Sequence, residues 1–476
     1  MKKSVRLLAV MVVLLLTASM FAACSSPASP PAPATTPATA ATAATQATTA
    51  ATTAATTAPT TTAAPVDEHY TFHFISHKLP DDPASYGFGI NRCMQEYNAM
   101  HPNFEFEYEI VEQMNVPGKI SLLIASNDVP DAFTSEAGAA MQLIIDSGAI
   151  CLMDDALKTL GYESYEYVVN DAAIEFINGI NGKPYYYLPT NQTAEGIWYN
   201  KDMYKQYNLE VPKTWDEFTA NCEVLKQNGI QPLSAGGQTG WPLTRWLAVT
   251  SGRLLGHDSI RQASKNDGLS FRDERFIRAA TLMQDLFKDG YFGEGFNSVD
   301  SGTGAQMYIQ GKSCMTYYLT STMINFMQNP EVNKIGLDAV GIFPVPYIEG
   351  GISAEESETL NCLGINQALS FSKTKFDQGT NNEFLKYLVD HYGTYLWELN
   401  MMSPYRQGVP AELSYGQTVA KTLLDSVKSS HLWWEGAMST AVTDIATSNA
   451  QLLAEGSITP EEYMNQLADA VDAAES

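Results

Sequence analysis

Three histidines, His69, His73 and His77, recur at four-residue spacing in the stretch HYTFHFISHK. On a helix that spacing stacks the imidazoles on one face, and the chemistry would be metal coordination. The neighbouring residues exclude the helix. Tyr70, Phe72, Phe74 and Ile75 form a β-branched and aromatic run of strand length, and Pro80, Asp81, Asp82 and Pro83 close it with turn chemistry. At roughly 3.3 Å per residue, positions four apart on an extended chain lie about 13 Å from one another, whereas a metal–nitrogen bond is about 2 Å long. The three rings therefore do not share an ion. His69 and His73 read as ordinary strand residues, while His77 falls where strand gives way to loop, the place at which open α/β sheets bind ligands.

Other chemistries fare no better. The GFG at 87–89 and the GTG at 302–304 are too short to cradle a nucleotide, and no P-loop pattern occurs. Glycoside hydrolysis needs two carboxylates roughly 5 to 10 Å apart across a cleft. Acids are abundant, 53 against 28 Lys and Arg, but no strand-end pair stands out and solvated surface accounts for them. The resulting net charge of −25 opposes phosphate backbones and anionic headgroups, so nucleic acid is not an expected partner. Beyond Cys24, the thiols Cys93, Cys151, Cys222, Cys314 and Cys362 are odd in number and lack CxxC spacing, which reads as small buried residues rather than a disulfide framework or a zinc cage. No metal or cofactor is expected.

Elements that could position a site begin well inside the chain. Lys2, Lys3 and Arg6 precede an apolar run from Leu7 to Met20, the pattern of a secretory signal peptide over residues 1–23. FAAC at 21–24 resembles the lipobox of bacterial lipoproteins, which implies lipidation of Cys24 and a membrane-anchored protein on the extracellular side of the cell envelope. Residues 25–65 are almost wholly Ala, Thr, Pro and Ser with no charge, a spacer whose flexible reach is roughly 35 Å. About 410 residues follow, enough for two lobes. No second apolar run is long enough to span a bilayer.

In that remainder strands alternate with helices. Helical spacing covers Tyr86 to Met100, glutamates alternate with apolar residues from Phe104 to Val111, Val116 to Ser126 is helical, Asp131 to Phe133 begins a strand, and Met141 to Gly148 is a helix. The succession predicts an α/β sheet with helices on both faces. Further on, Tyr185 to Leu188 and Ile197 to Tyr199 read as strands, and Thr214 with Glu217 forms a capping box that starts a helix lasting to Gly229.

The longer motifs carry more than their spacing. Gly182, Lys183, Tyr185 and Pro189 lead into Tyr199, Asn200, Lys201 and Asp202, then into Pro212, Lys213, Thr214, Trp215, Glu217 and Phe218, and finally Gly229, Ile230 and Pro232. QGKSCM at 310–315, VGIFPVP at 340–346 and the helix Glu383 to Val389 follow in order. This series resembles the family 1 extracellular solute-binding proteins of carbohydrate-type ABC importers, from residue 68 to the C-terminus.

The resemblance implies the type II fold of periplasmic binding proteins, two α/β lobes joined by hinge strands around a ligand cleft. It places the lobe segments at 66–190, 191–342, 343–396 and 397–476, with crossings near Asn191 to Ala194, Phe343 to Tyr347 and Leu396 to Pro404. It implies a monomer without catalysis, capturing a small-molecule solute, an oligosaccharide on family grounds, and delivering it to membrane permease subunits. Alternatives are a non-sugar solute, or a report to a sensor kinase instead of a permease.

Sugars present flat apolar faces and hydroxyl rims, which rings and polar side chains respectively satisfy. In SSHLWWEGAMSTAV one of Trp433 and Trp434 is expected as a stacking platform, because adjacent residues on a helix do not face the same way. Trp241, after the glycine-rich GGQTG, suits platform or core equally, whereas Trp246 and Trp215 read as structural. Where relatives place a glycine and a tryptophan, MTYYLTST has Leu319 and Ser321, leaving Tyr317 or Tyr318 as substitutes. Ser135 and Glu136, His77, Asn191 and Arg406 complete the candidate ligand set, with a surface ion pair the default for Arg406.

Overall fold

The computed structural model describes residues 69–475 except Asn366, so the signal segment, Cys24 and the Ala/Thr/Pro tract lie outside the described residues. Strand β1, Tyr70–Ser76, runs parallel to β2, Phe104–Ile110, and to β3, Ala132–Ser135. Strand β10, Ala368–Phe371, joins antiparallel between β3 and the short β4, Leu188–Pro189, giving the order β2-β1-β3-β10-β4. Apolar residues on the inner face hold the helices down: the Phe72 ring lies 5.3 Å from Phe106 and 4.9 Å from Phe384 on the helix Asn382–Glu398. On β2 the glutamates alternate outward. His69 pairs with Glu105 at 3.2 Å and His73 with Glu109 at 3.1 Å, which accounts for both histidines without a metal.

The second sheet is built from β5 (Gln192–Asn200), β6 (Gln231–Ser234), β7 (Ser313–Leu319), β9 (Leu360–Ile365) and β11 (Ser429–His431), in the order β11-β9-β5-β7-β6, with β8 (Val340–Phe343) also on β5. The helices Trp241–Leu255 and Glu274–Lys288 pack on it with the C-terminal pair Thr440–Glu455 and Pro460–Glu475. The expected capping box is present: the Glu217 amide donates to Thr214 Oγ1 at 3.2 Å, and the Thr214 amide to Glu217 Oε2 at 3.2 Å. Trp215 and Trp246 are buried in this lobe's core. The thiols of Cys93, Cys151, Cys222, Cys314 and Cys362 are all buried. Among the described residues no helix is long and apolar enough to cross a membrane.

Three segments pass between the sheets. The chain leaves β4 at Pro189 and enters β5 at Gln192, and it returns from β9 at Ile365 to β10 at Ala368. These two crossings are laced together: the Thr190 amide donates to the Gln367 carbonyl at 3.0 Å and the Gln367 amide to Thr190 Oγ1 at 3.0 Å. The third follows the helix Asn382–Glu398, where the Gln192 amide donates to the Met402 carbonyl at 3.0 Å and the Tyr405 hydroxyl to the Pro189 carbonyl at 3.1 Å.

One expectation is corrected. No crossing falls at Phe343 to Tyr347, and the lobe boundary is not at 343. Phe343 is paired with Ile197 in the second sheet, the Val345 carbonyl accepts from Arg253 Nε at 2.9 Å, and Tyr347 exchanges backbone hydrogen bonds with Lys213 and Trp215. Those bonds hold the segment in the second lobe until β9 ends.

Candidate functional site

On the first lobe the carboxyl ends of β1 and β3 set out a polar floor. Ser76 and Thr134, one on each strand, are 2.7 Å apart between hydroxyls. Beside them Ser135 is 1 % exposed and its Oγ has no hydrogen-bond partner among the described residues; the hydroxyl of buried Tyr86, at the start of the helix Tyr86–Met100, is directed toward Thr134 and Ser76. A buried hydroxyl without a partner is costly unless a ligand or solvent completes it. His77, half-buried, sets its ring edge-on to Tyr86 at 6.1 Å. Burial, with the Lys78 ammonium next, pushes the His77 imidazole down to about 4, and burial also lowers Lys78. His77 is thus neutral at pH 7. Glu136 accepts from Gln113 Nε2 at 2.5 Å, and Asn191 is buried on the first crossing.

The second lobe contributes indoles and an ion pair. Trp241 opens the helix Trp241–Leu255, and its ring is 5.7 Å from Tyr318. One turn on, the Arg245 guanidinium carbon lies 5.1 Å from the Trp241 ring and 4.9 Å from the Trp433 ring, inside cation–π range of both. Arg245 Nε donates to Glu195 Oε1 at 3.0 Å, and Glu195 is 1 % exposed. Trp433 caps the short helix Trp434–Ala437 and packs closely against β9 because residue 364 is glycine: a Cβ there would sit 2.2 Å from the indole.

The lobes come together beside Trp433. Phe176, on the helix Asp171–Ile180 that packs against β9 and β11, is 5.1 Å from the Trp433 ring, and a Cβ on Gly138, in the loop after β3, would lie 3.3 Å from the Gly436 carbonyl. Trp433 therefore stands where the lobes meet.

Two expected residues do not join. Trp434 is 0 % exposed, with its ring 5.4 Å from Phe271 and 6.2 Å from Phe276, so it is core and presents no face to a ligand. Arg406 forms an ion pair with Asp171 at 2.6 Å and donates to the Glu166 carbonyl at 2.8 Å. It lines a cavity of about 600 Å³ with Gln192, Trp397 and Met402. That cavity lies across β5 from the indoles, since Gln192 faces it whereas Thr193, the next residue of an extended strand, packs toward Gly364 and Trp433. Sequence reasoning missed Arg245, Glu195, Tyr86 and Phe176. A signal existed for two of them: a lone carboxylate inside the otherwise uncharged strand QTAEGIWYN, and an arginine one helical turn after Trp241.

A family model described as bacterial extracellular solute-binding protein matches residues 84–390. An ABC transporter extracellular-binding protein of Pyrococcus horikoshii is 22 % identical over 272 residues, 55 % of this chain and 59 % of its own. An alpha-glucosides-binding periplasmic protein of Rhizobium meliloti is 24 % identical over 276 residues, 52 % of this chain and 57 % of its own. Each match spans less than two thirds of the relative. The solved structure of a chitin oligosaccharide binding protein superposes with a TM-score of 0.72 at 20 % identity, covering 85 % of this chain and 98 % of that one, which shows the fold to be shared.

Proposed function

Because this chain belongs to the bacterial extracellular solute-binding proteins, we propose that it captures a carbohydrate, in the first instance an oligosaccharide, between its lobes and hands it to the membrane permease of an ABC importer. The observation that carries the reading is the indole of Trp433, backed by Arg245 and set beside the loop contact between the lobes, together with the buried, unpartnered hydroxyl of Ser135 at the end of β3. Rings cover the flat faces of a sugar, and hydroxyls, carboxylates and guanidinium groups in a water-poor cleft satisfy its rim. A ligand that touches both lobes favours their closed arrangement by its differential affinity, and a permease can read that arrangement.

In this reading the protein binds without catalysis, as a monomer, with the lipid on Cys24 as its anchor and residues 25–65 as its tether on the extracellular face of the membrane. The relatives named for alpha-glucosides and chitin oligosaccharide support the carbohydrate class. Thermal unfolding of the protein against mono- and oligosaccharides, amino acids and polyamines tests it, because a ligand present at a hundred times its Kd stabilises the folded state by about 2.7 kcal/mol. A saccharide that raises Tm supports the proposal. A response confined to amino acids or amines, or none to any sugar, overturns the carbohydrate assignment.

A further inference from the structure

Across β5 from the indoles, the cavity of about 600 Å³ is lined by two buried side chains that each leave a polar atom unanswered. Gln192, the first residue of β5, is 5 % exposed, and its Oε1 has no hydrogen-bond partner among the described residues. Trp397, near the end of the helix Asn382–Glu398, is 6 % exposed, and its Nε1 has none among the described residues either. Met402 and Tyr405 of the third crossing form another wall. Leu424 adds a fourth, from the helix Tyr415–Ser426 that packs on β5 and β8. Because Asn382–Glu398 packs on the first-lobe helix Tyr86–Met100, the cavity is walled by both lobes and by the chain that crosses between them.

The ionic groups of this cavity are already paired with one another, Arg406 with Asp171 at 2.6 Å and Lys421 with Asp425 at 2.7 Å. With each cation holding its own carboxylate, the walls favour neither sign of ligand. The two unanswered atoms do select. An indole N–H needs an acceptor and a carboxamide oxygen needs a donor; a hydroxyl is both, whereas an ammonium only donates and a carboxylate only accepts. Met402 and Leu424 supply the apolar surface that a carbon skeleton covers, and the volume falls within the roughly 300–1,000 Å³ of small-molecule pockets. Water also serves both atoms, but one water fills only about 30 Å³. Solvent held loosely against apolar walls is displaced with a gain in affinity.

We propose that this cavity is a second binding site, taking a neutral polyhydroxylated molecule the size of a sugar alcohol or a monosaccharide, whose hydroxyls accept from Trp397 Nε1 and donate to Gln192 Oε1. It is separate from the cleft and independent of which solute the cleft takes, since β5 stands between the two. An occupant touches Gln192, Met402 and Tyr405, residues of the crossings about which the lobes turn.

Fluorine NMR of the protein labelled with 5-fluorotryptophan provides the test, because it reads each indole separately. Trp397→Phe and Trp433→Phe assign the two resonances that matter. Sorbitol and glucose are titrated in turn, with glutamate and putrescine as charged controls. The expected result is a saturable shift of the Trp397 resonance with sorbitol, glucose or both, retained in Trp433→Ala and weakened at least tenfold in midpoint by Gln192→Leu. Should Gln192→Leu fail to fold, the titrations of the unmodified protein and of Trp433→Ala still decide. No saturable shift at Trp397, a shift that Trp433→Ala removes or Gln192→Leu leaves unchanged, or a response confined to the charged controls overturns the proposal. Such a failure leaves the cleft reading untouched, since binding there is read at Trp433.

Discussion

The guanidinium carbon of Arg245 lies 4.9 Å from the centre of the Trp433 ring. Nothing in the sequence around either residue predicts the contact; a helix of the second lobe and the loop after β11 bring them together. The same indole lies 5.1 Å from Phe176 and sits against Gly436, whose carbonyl approaches Gly138 of the first lobe, so one side chain records both the build of the site and the meeting of the lobes.

Neighbouring tryptophans should therefore separate binding from stability. Trp433→Ala is expected to abolish or severely weaken saccharide binding with a modest loss of stability, because its ring is half-buried at the lobe contact. Trp434→Ala removes a ring sealed between Phe271 and Phe276 and should cost about 3–5 kcal/mol. Isothermal titration calorimetry and urea unfolding of both variants check this; equal losses of stability would contradict it.

Truncating one member of the Glu195–Arg245 pair takes a buried charge partner from the other. Glu195→Ala should destabilise the protein by roughly 3 kcal/mol, whereas Glu195→Leu combined with Arg245→Met should lie closer to the parent, since both charges of the pair are removed together. A double-mutant cycle by urea unfolding reads the difference.

Gly364→Ala probes the indole's seat. The added carbon falls 2.2 Å from the Trp433 ring, so the ring must lift off β9. We expect saccharide affinity to fall at least tenfold, about 1.4 kcal/mol, while urea unfolding stays cooperative and calorimetry shows the loss.

Acid should loosen the fold before most carboxylates titrate. The folded chain holds His77 down to about 4 against an ordinary 6.5, so between those values the unfolded chain binds the extra proton. Stability contributed by neutral His77 is fully present above 6.5 and is lost as pH falls toward 4. His77→Asn should flatten the dependence of unfolding free energy on pH between about 6.5 and 5, above the ordinary carboxylate range. An unchanged slope would contradict the assignment.

Arg406→Ala supplies the contrast. Its ion pair with Asp171 is exposed on both sides, so the change should cost less than about 1 kcal/mol and leave saccharide affinity, read by the same calorimetry, within about twofold.

Local chemistry made much of the frame readable. The helix Tyr86–Met100, the strand Tyr70–Ser76 and the Thr214–Glu217 capping box follow from periodicity, turn residues and a hydroxyl three residues before a carboxylate. Each is decided by residues within one or two turns of itself. The motif series from Gly182 to Pro232 pointed to the family in the same way, because it is written in consecutive residues.

The site was only half legible for the opposite reason. Trp433 and Trp434 are chemically identical, and which of them is sealed depends on Phe271 and Phe276 from a distant part of the chain. Arg406 had the right chemistry, and Asp171 claims it on the other side of β5. The return crossing after β9 was likewise misplaced, since Phe343 to Tyr347 are held by Ile197, Lys213, Trp215 and Arg253, none of them adjacent in sequence. By itself, then, the sequence determined the element types, the anionic surface and the family, which rest on short-range patterns. Only the tertiary structure decided which indole faces the other lobe and that Arg245 lies between two tryptophans, because burial and pairing belong to contacts between segments far apart in the chain.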